Sequence, residues 1–290
     1  MSESSIIVSH SEDDTFLQCE RKHFYAFSNG GLQKKELSEP LVRGVMGHKM
    51  LEIFFSTLKD GSTYSDARSA ANAWLQSQMV LPDADLSIIA KVLFLVNTFI
   101  DYYSERIAGW KILYVEHEFW LNISDRIRFP FKPDLIISEN GIITVVDYKF
   151  TYDFYTDSML QLLGQTAKYV GALRALGVEA RAAWYAQLRT RTMKDMSAPN
   201  IMKISPIPLN NSRIVRTFKE QINVTHRIAR YKEMTLEEWD DNAVRTLNTM
   251  ICKSCSFKDL CAAELNGSDG QLMRKVDFDK NTYGYKEAEE

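Results

Sequence analysis

Long apolar runs are missing from this 290-residue chain. No stretch approaches the roughly 18 residues that a membrane-spanning helix needs, so a membrane span is not expected. Prolines are few, at seven, and aromatic residues make up 11% of the chain, which excludes a largely disordered polypeptide. The opening residues, 1 to 10, contain neither a basic leader nor an apolar run, so no secretory signal is expected. A reducing cytoplasm is therefore the expected setting, and the four cysteines are not expected to form disulfides. A Gly-x-x-x-x-Gly-Lys-Ser/Thr phosphate loop is also absent, so any strand unwinding would have to come from a partner.

What remains is an ordinary globular composition, 45% hydrophobic and 25% charged, enough for one large domain or one with an appendage. Helical spacing covers residues 13–27, 44–58, 65–79 and 84–108, after which the period changes. Segments 111–122, 127–138 and 141–150 read as three consecutive strands, with Glu139-Asn140-Gly141 as a hairpin turn. A helix over 157–176 stops at Gly177, a strand follows over 181–188, and a basic helix is expected over 212–233. The net charge of −3 hides an uneven distribution: Arg189 to Lys232 carries ten Lys or Arg against Asp195 and Glu220. That surplus suits a polyanion, although long cationic side chains can equally solvate one face of a helix.

The chemistry-bearing residues fall at strand ends. Asp134 follows one predicted strand, and Asp147-Tyr148-Lys149 ends the next. Strand alternation puts Asp147 and Lys149 on one face and Tyr148 on the other. Two carboxylates suit a hard divalent cation, and a neighbouring ammonium can orient water or neutralise charge developing on phosphorus. One turn apart on the helix 44–58, His48 and Glu52 add an imidazole and a further carboxylate. The plainer alternative is a hairpin whose exposed ends merely carry charges. A second constellation, Cys252-x2-Cys255-x5-Cys261, together with the remote Cys19, supplies four thiolates. In a reducing compartment these point to tetrahedral zinc or an iron-sulfur cluster, and spacing alone does not choose.

Taken together, these motifs resemble the PD-(D/E)XK nucleases, in particular the RecB-like iron-sulfur branch that includes CRISPR-associated adaptation nucleases and phage exonucleases. Gly44-x-x-x-His48-x-x-x-Glu52, Asp134, Asp147-x-Lys149 and Gln165-x-x-x-Tyr169 follow that branch's order along nearly the whole chain. One departure is Phe131, which stands where the branch usually has glycine three residues before the Asp. The resemblance implies an α/β, restriction-endonuclease-like core, a mixed central sheet flanked by helices. To this it adds an N-terminal helical region and a C-terminal iron-sulfur segment. One nuclease domain over 1–265 is expected, divided into 1–110, 111–190 and 191–265, with a polar tail over 266–290.

By the same resemblance His48, Asp134, Asp147 and Tyr148 belong to the metal site, and Asp134, Asp147, Lys149, Gln165 and Tyr169 to catalysis. Manganese or magnesium is the implied ion; an imidazole among oxygen ligands suits manganese better. One cysteine ahead of the core and three behind it match the branch's [4Fe-4S] ligands, so Cys19, Cys252, Cys255 and Cys261 are expected to hold a cluster rather than zinc. Closing so long a loop would staple the fold. Arg213, Arg216, Arg227 and Arg230 are the expected phosphate contacts. The expected activity is hydrolysis from DNA ends, in recombination, repair, or CRISPR or phage DNA processing, with proteins of those pathways as potential partners. A non-catalytic DNA-binding subunit of such a complex is the alternative, against which the intact Asp147 and Lys149 argue. A zinc-stabilised module without nuclease function would leave the ordered acidic series as coincidence.

Overall fold

The computed structural model describes residues 5–28, 31–81 and 84–280. They group into two compact units, Met1–Leu37, Trp120–Phe131 and Lys219–Glu290 in one, Ser38–Phe119 and Lys132–Phe218 in the other. The chain passes from the first unit to the second and back twice. Among the described residues, no helix is long and apolar enough to cross a membrane.

The larger unit is built on a five-stranded mixed sheet. Its order is Lys111–Val115, Leu135–Glu139, Ile142–Thr151, Ala180–Arg189 and Met202–Pro206. All neighbours are antiparallel except the central pair, Ile142–Thr151 with Ala180–Arg189. The hairpin into the central strand turns where expected: Asn140 and Gly141 both have positive φ, 52° and 79°, the two-residue turn whose twist matches that of the flanking strands. One face is covered by the helix Glu39–Lys59, which buries Met50, Leu51, Phe54 and Phe55, and by Tyr64–Ser77 and Leu86–Tyr102. Leu86–Tyr102 buries seven apolar side chains at helical spacing, each contributing about 1.5–3 kcal/mol. Sheet residues Leu135, Ile137, Val146, Tyr148 and Trp184 complete that core.

Two expected strands are each broken in the middle. Segment 111–122 becomes Lys111–Val115 and Phe119–Asn122, while 127–138 becomes Ile127–Phe131 and Leu135–Glu139. The first break falls at Glu116, whose φ of 43° cannot continue a strand. The second falls at Lys132-Pro133-Asp134, where proline has no amide to donate to a ladder. Both breaks place acidic residues at strand ends. The helix expected over 157–176 also breaks, into Asp157–Leu162 and Gln165–Ala175, with Gly164 opening the second.

In the smaller unit, Ile6–Ile7 pairs in parallel with Ile127–Phe131, and Phe119–Asn122 completes a three-stranded sheet. Helices His10–Gln18 and Glu20–Phe27 meet at Cys19, whose extended backbone (φ −169°, ψ 119°) ends one and starts the other. Phe24, Tyr25, Trp239, Phe257, Leu260 and Phe278 form the main core here, with Cys255 and Cys261 packed against it. Glu264 gathers Tyr25, Arg245 and Arg274. The segment expected as a polar tail from 266 carries a helix, Gln271–Asp277, and a strand, Phe278–Lys280, paired antiparallel with Leu32–Lys34. Burial of Phe278 anchors it; the rest of that expected tail, 281–290, lies outside the described residues.

Candidate active site

The site lies at one end of the central strand. Alternation along Ile142–Thr151 sends Tyr148 into the core beneath the helix Glu39–Lys59, where its ring stacks on Phe55 with centroids 6.1 Å apart. Asp147 and Lys149 therefore emerge on the opposite face, over which Gln165–Ala175 packs. There the Lys149 ammonium lies 2.7 Å from Asp147 Oδ2 and donates to Gln165 Oε1 at 2.8 Å. Gln165 Nε2 in turn lies 3.3 Å from the Tyr169 hydroxyl, to which it donates. The break at Gly164 places Gln165 in the first turn of its helix, within reach of Lys149.

Asp134 joins the two faces at the strand end. Its Oδ2 accepts the Tyr148 amide at 2.7 Å and lies 3.4 Å from His48 Nδ1. The Glu116 amide donates to the Asp134 carbonyl at 2.9 Å, so the two strand breaks hold each other. Glu116 brings a carboxylate 3.9 Å from His48 Nδ1 and pairs with Lys132 at 2.8 Å. Ligand atoms of His48, Glu116 and Asp134 all lie within 4.8 Å of one another.

Electrostatics follow from crowding acids at a half-buried strand end. Burial pushes the Asp147 carboxyl up to about 7; Lys149 opposes the rise, and the charge of Asp134 adds to it. Burial would lower the His48 imidazole, but the charge and hydrogen bond of Asp134, with the Glu116 contact, push it up to about 10. Burial also works against the Lys149 ammonium, yet Asp147 more than offsets this and Lys149 stays protonated. The His48 proton thus supplies positive charge where a cation would. One imidazole nitrogen among carboxylate oxygens is a donor set that fits a divalent ion.

The expected residues His48, Asp134, Asp147, Lys149, Gln165 and Tyr169 are brought together, with three adjustments. The Tyr148 side chain is buried in the core and contributes only its amide, bonded to Asp134, so its phenol is no ligand. Glu52, grouped with His48 on sequence, is instead paired with Lys49 at 2.7 Å. Glu116 takes the place expected of Glu52; sequence reasoning passed over it because the segment read as one unbroken strand. The helix motif also has a different pivotal glycine. A Cβ at Gly44 would meet nothing within 4 Å, whereas one at Gly47 would lie 2.0 Å from Phe150 Cζ. Gly47 is what lets the His48 helix approach the central strand.

The four expected cluster cysteines all lie in the smaller unit as free thiols, each half-buried. Burial raises the Cys19 thiol, but hydrogen bonds from the Thr246, Lys22 and Arg21 amides and the Thr246 hydroxyl outweigh it and leave Cys19 below the usual thiol range. A thiolate is thereby favoured at a helix start. Burial raises Cys255, the Phe257 amide and the Lys22 charge oppose the rise, and the charges of Cys19 and Cys252 add a smaller push upward. Among the described residues no three cysteine sulfurs fall within 4.8 Å of one another, although a tetrahedral zinc site with bonds of about 2.3 Å needs about 3.8 Å.

The four expected phosphate-binding arginines differ in their surroundings. On the helix Asn211–Glu233, Arg216 and Arg230 are exposed. Arg213 is spent on structure, donating to the carbonyls of Pro208, Leu160 and Leu163. Arg227 pairs with Glu20 at 2.9 Å and covers the Phe16 ring.

Comparison with known proteins shows the family and a similar fold. The family model described as the PD-(D/E)XK nuclease superfamily matches residues 7–262, and the chain belongs to that superfamily, whose members are divalent-metal nucleases acting on DNA. Among solved structures, that of an inferred exonuclease from Eubacterium rectale is similar in fold, with a TM-score of 0.51 at 11% identity. The match covers 85% of this chain and 87% of that one. Protein VC1899 from Vibrio cholerae matches at 11% identity over 79% of this chain and 58% of that one, with a TM-score of 0.21 that carries no argument. A sequence comparison with the curated proteins found no match.

Proposed function

We propose that the protein is a metal-dependent deoxyribonuclease that shortens DNA from its ends, with Asp134, Asp147, Lys149, Gln165 and Tyr169 as its catalytic residues. The observation that carries this reading is the unbroken chain of contacts Asp147, Lys149, Gln165, Tyr169 beside the acid group of Asp134. His48, Asp134 and Asp147 would hold the divalent ion, with Glu116 within reach. When bound, the ion supplies Lewis acidity to a phosphoryl oxygen.

Every other part is played by side chains. Asp147 and Gln165 fix the Lys149 ammonium so that it meets the scissile phosphate without rearrangement and holds the negative charge gathering on its oxygens. A water attacks phosphorus in line and gives up a proton to solvent, the P–O bond opposite it breaks, and the departing oxygen takes up a proton from solvent. Burial raises the Asp147 carboxyl, and as a ligand of the ion Asp147 would be ionised. His48 gives up its proton when the ion enters.

End-directed cutting is supported by the RecB-like motif order and by the name of the Eubacterium rectale fold relative. In the same reading Cys19, Cys252, Cys255 and Cys261 hold a [4Fe-4S] cluster, a reading that rests on their order along the chain and its resemblance to the RecB-like iron-sulfur branch. Such a cluster suits a cytoplasmic protein of recombination, repair, or CRISPR or phage DNA processing. Product analysis tests the proposal. With manganese, DNA labelled at either terminus should release mononucleotides or short oligonucleotides from an end, and closed circular DNA should stay intact. Internal cuts in the circle would refute end direction.

A further inference from the structure

The acid group borders a cluster of rings that the chemistry above leaves unused. Tyr114, His117 and Phe119 converge, with centroids 5.1 Å apart for Tyr114 with His117 and with Phe119, and 4.7 Å for His117 with Phe119. Residues at such spacings would not share one face of a regular strand. They meet here because the positive φ of Glu116 bends the chain between Tyr114 and His117. The same turn that aims the Glu116 carboxylate at His48 and Asp134 therefore assembles the rings. His117 is exposed, as is Lys59, whose ammonium lies 5.6 Å over the Tyr114 ring. A cluster that served only as core would bury these groups.

We propose that Tyr114, His117 and Phe119, with Lys59, form a stacking platform for unpaired bases of the DNA strand whose phosphate enters the acid site. Aromatic faces accept any base, and a lysine over a ring adds a contact to the backbone between stacked bases. His117 directly follows Glu116, so the platform and the acid group are neighbours along the chain. Ligand identity rests on the nuclease reading. The platform deepens it by making the substrate a single strand, or a duplex end with frayed bases.

Binding can be measured apart from cleavage. The full chain carrying Asp147→Asn, in EDTA, is titrated into a fluorescent oligo-dT and into an abasic strand of the same length. The parent should prefer the strand with bases. Adding His117→Ala or Tyr114→Ala should weaken oligo-dT binding by about 5- to 150-fold per stacked base, leave abasic binding and the salt dependence unchanged, and be reversed by His117→Phe. Equal affinity of the parent for both strands, unchanged preference in the alanine variants, or equal weakening on both strands would each overturn the platform. Loss of cleavage by the unmodified protein, with base preference intact, would instead sink the nuclease reading and leave the platform standing.

Discussion

Replacing Gly47 by alanine should disable the metal site without touching a ligand. The added Cβ would lie 2.0 Å from Phe150 Cζ and 2.4 and 2.5 Å from the neighbouring ring atoms. To reach the 3.4 Å at which ordinary contact begins, helix and ring must part by about 1.4 Å. Helix propensity gains about 1 kcal/mol from the substitution, and overpacking costs about 1–3 kcal/mol, so stability should change little or fall by up to about 2 kcal/mol. The larger effect falls on His48, the next residue on the helix, 3.4 Å from Asp134. A metal–imidazole bond of about 2.1 Å tolerates errors of only about 0.2 Å, so such a shift takes His48 out of the ligand set. Calorimetric titration with manganese should show affinity at least tenfold weaker, and the double variant Gly47→Ala/Phe150→Ala should recover it by opening the space. Wild-type manganese affinity in Gly47→Ala would refute the claim that this close approach sets the site.

Without metal, stability should fall as pH rises. Asp147 and His48 are raised in the fold, to about 7 from 3.8 and to about 10 from 6.5, so the folded state binds more protons than the unfolded one. Melting temperature should therefore decline between about pH 4 and 7 through Asp147 and between about 6.5 and 10 through His48; His48→Gln should flatten the alkaline part, and a slope unchanged by it would contradict the assignment. Arg213→Ala should cost about 1–3 kcal/mol by chemical denaturation, because three carbonyls lose their donor, whereas Arg216→Glu and Arg230→Glu should leave stability intact and each lower the salt slope of DNA binding by about one unit. An unchanged slope would make the exposed face merely solvated. Protein prepared without oxygen should contain about four iron and four sulfide per chain, lost in Cys19→Ala; stoichiometric zinc without sulfide would contradict the cluster.

Much of the candidate site was legible because strand alternation and helical spacing are rigid rules. Once Ile142 to Val146 read as a strand, Asp147 and Lys149 had to share a face, and Gln165 and Tyr169, four apart, had to share a helix side. The residues that escaped notice depend on breaks in regular structure. Glu116 sits in a run of strand-forming residues, and only its positive φ, held by the hydrogen bond that its amide donates to the Asp134 carbonyl, turns it inward. Glu52 looked suitable by spacing from His48, but the nearby Lys49 captures it. Arg213 counted toward a basic surplus, though its guanidinium serves carbonyls around the break at Gly164 that propensity did not foretell. The passage of 120–131 into the smaller unit was hidden for the same reason: local patterns specify strands, while partner choice is decided at long range.

The central claim is that the Asp134, Asp147 and Lys149 group hydrolyses DNA. It is tested most directly by single-turnover cleavage of an end-labelled single strand by Lys149→Met, with manganese, beside a binding measurement on the same oligonucleotide. Removing the fixed ammonium should slow hydrolysis by about 100-fold or more while leaving DNA affinity within about threefold, since most phosphate contacts lie elsewhere. Cleavage by Lys149→Met at the wild-type rate would contradict the account.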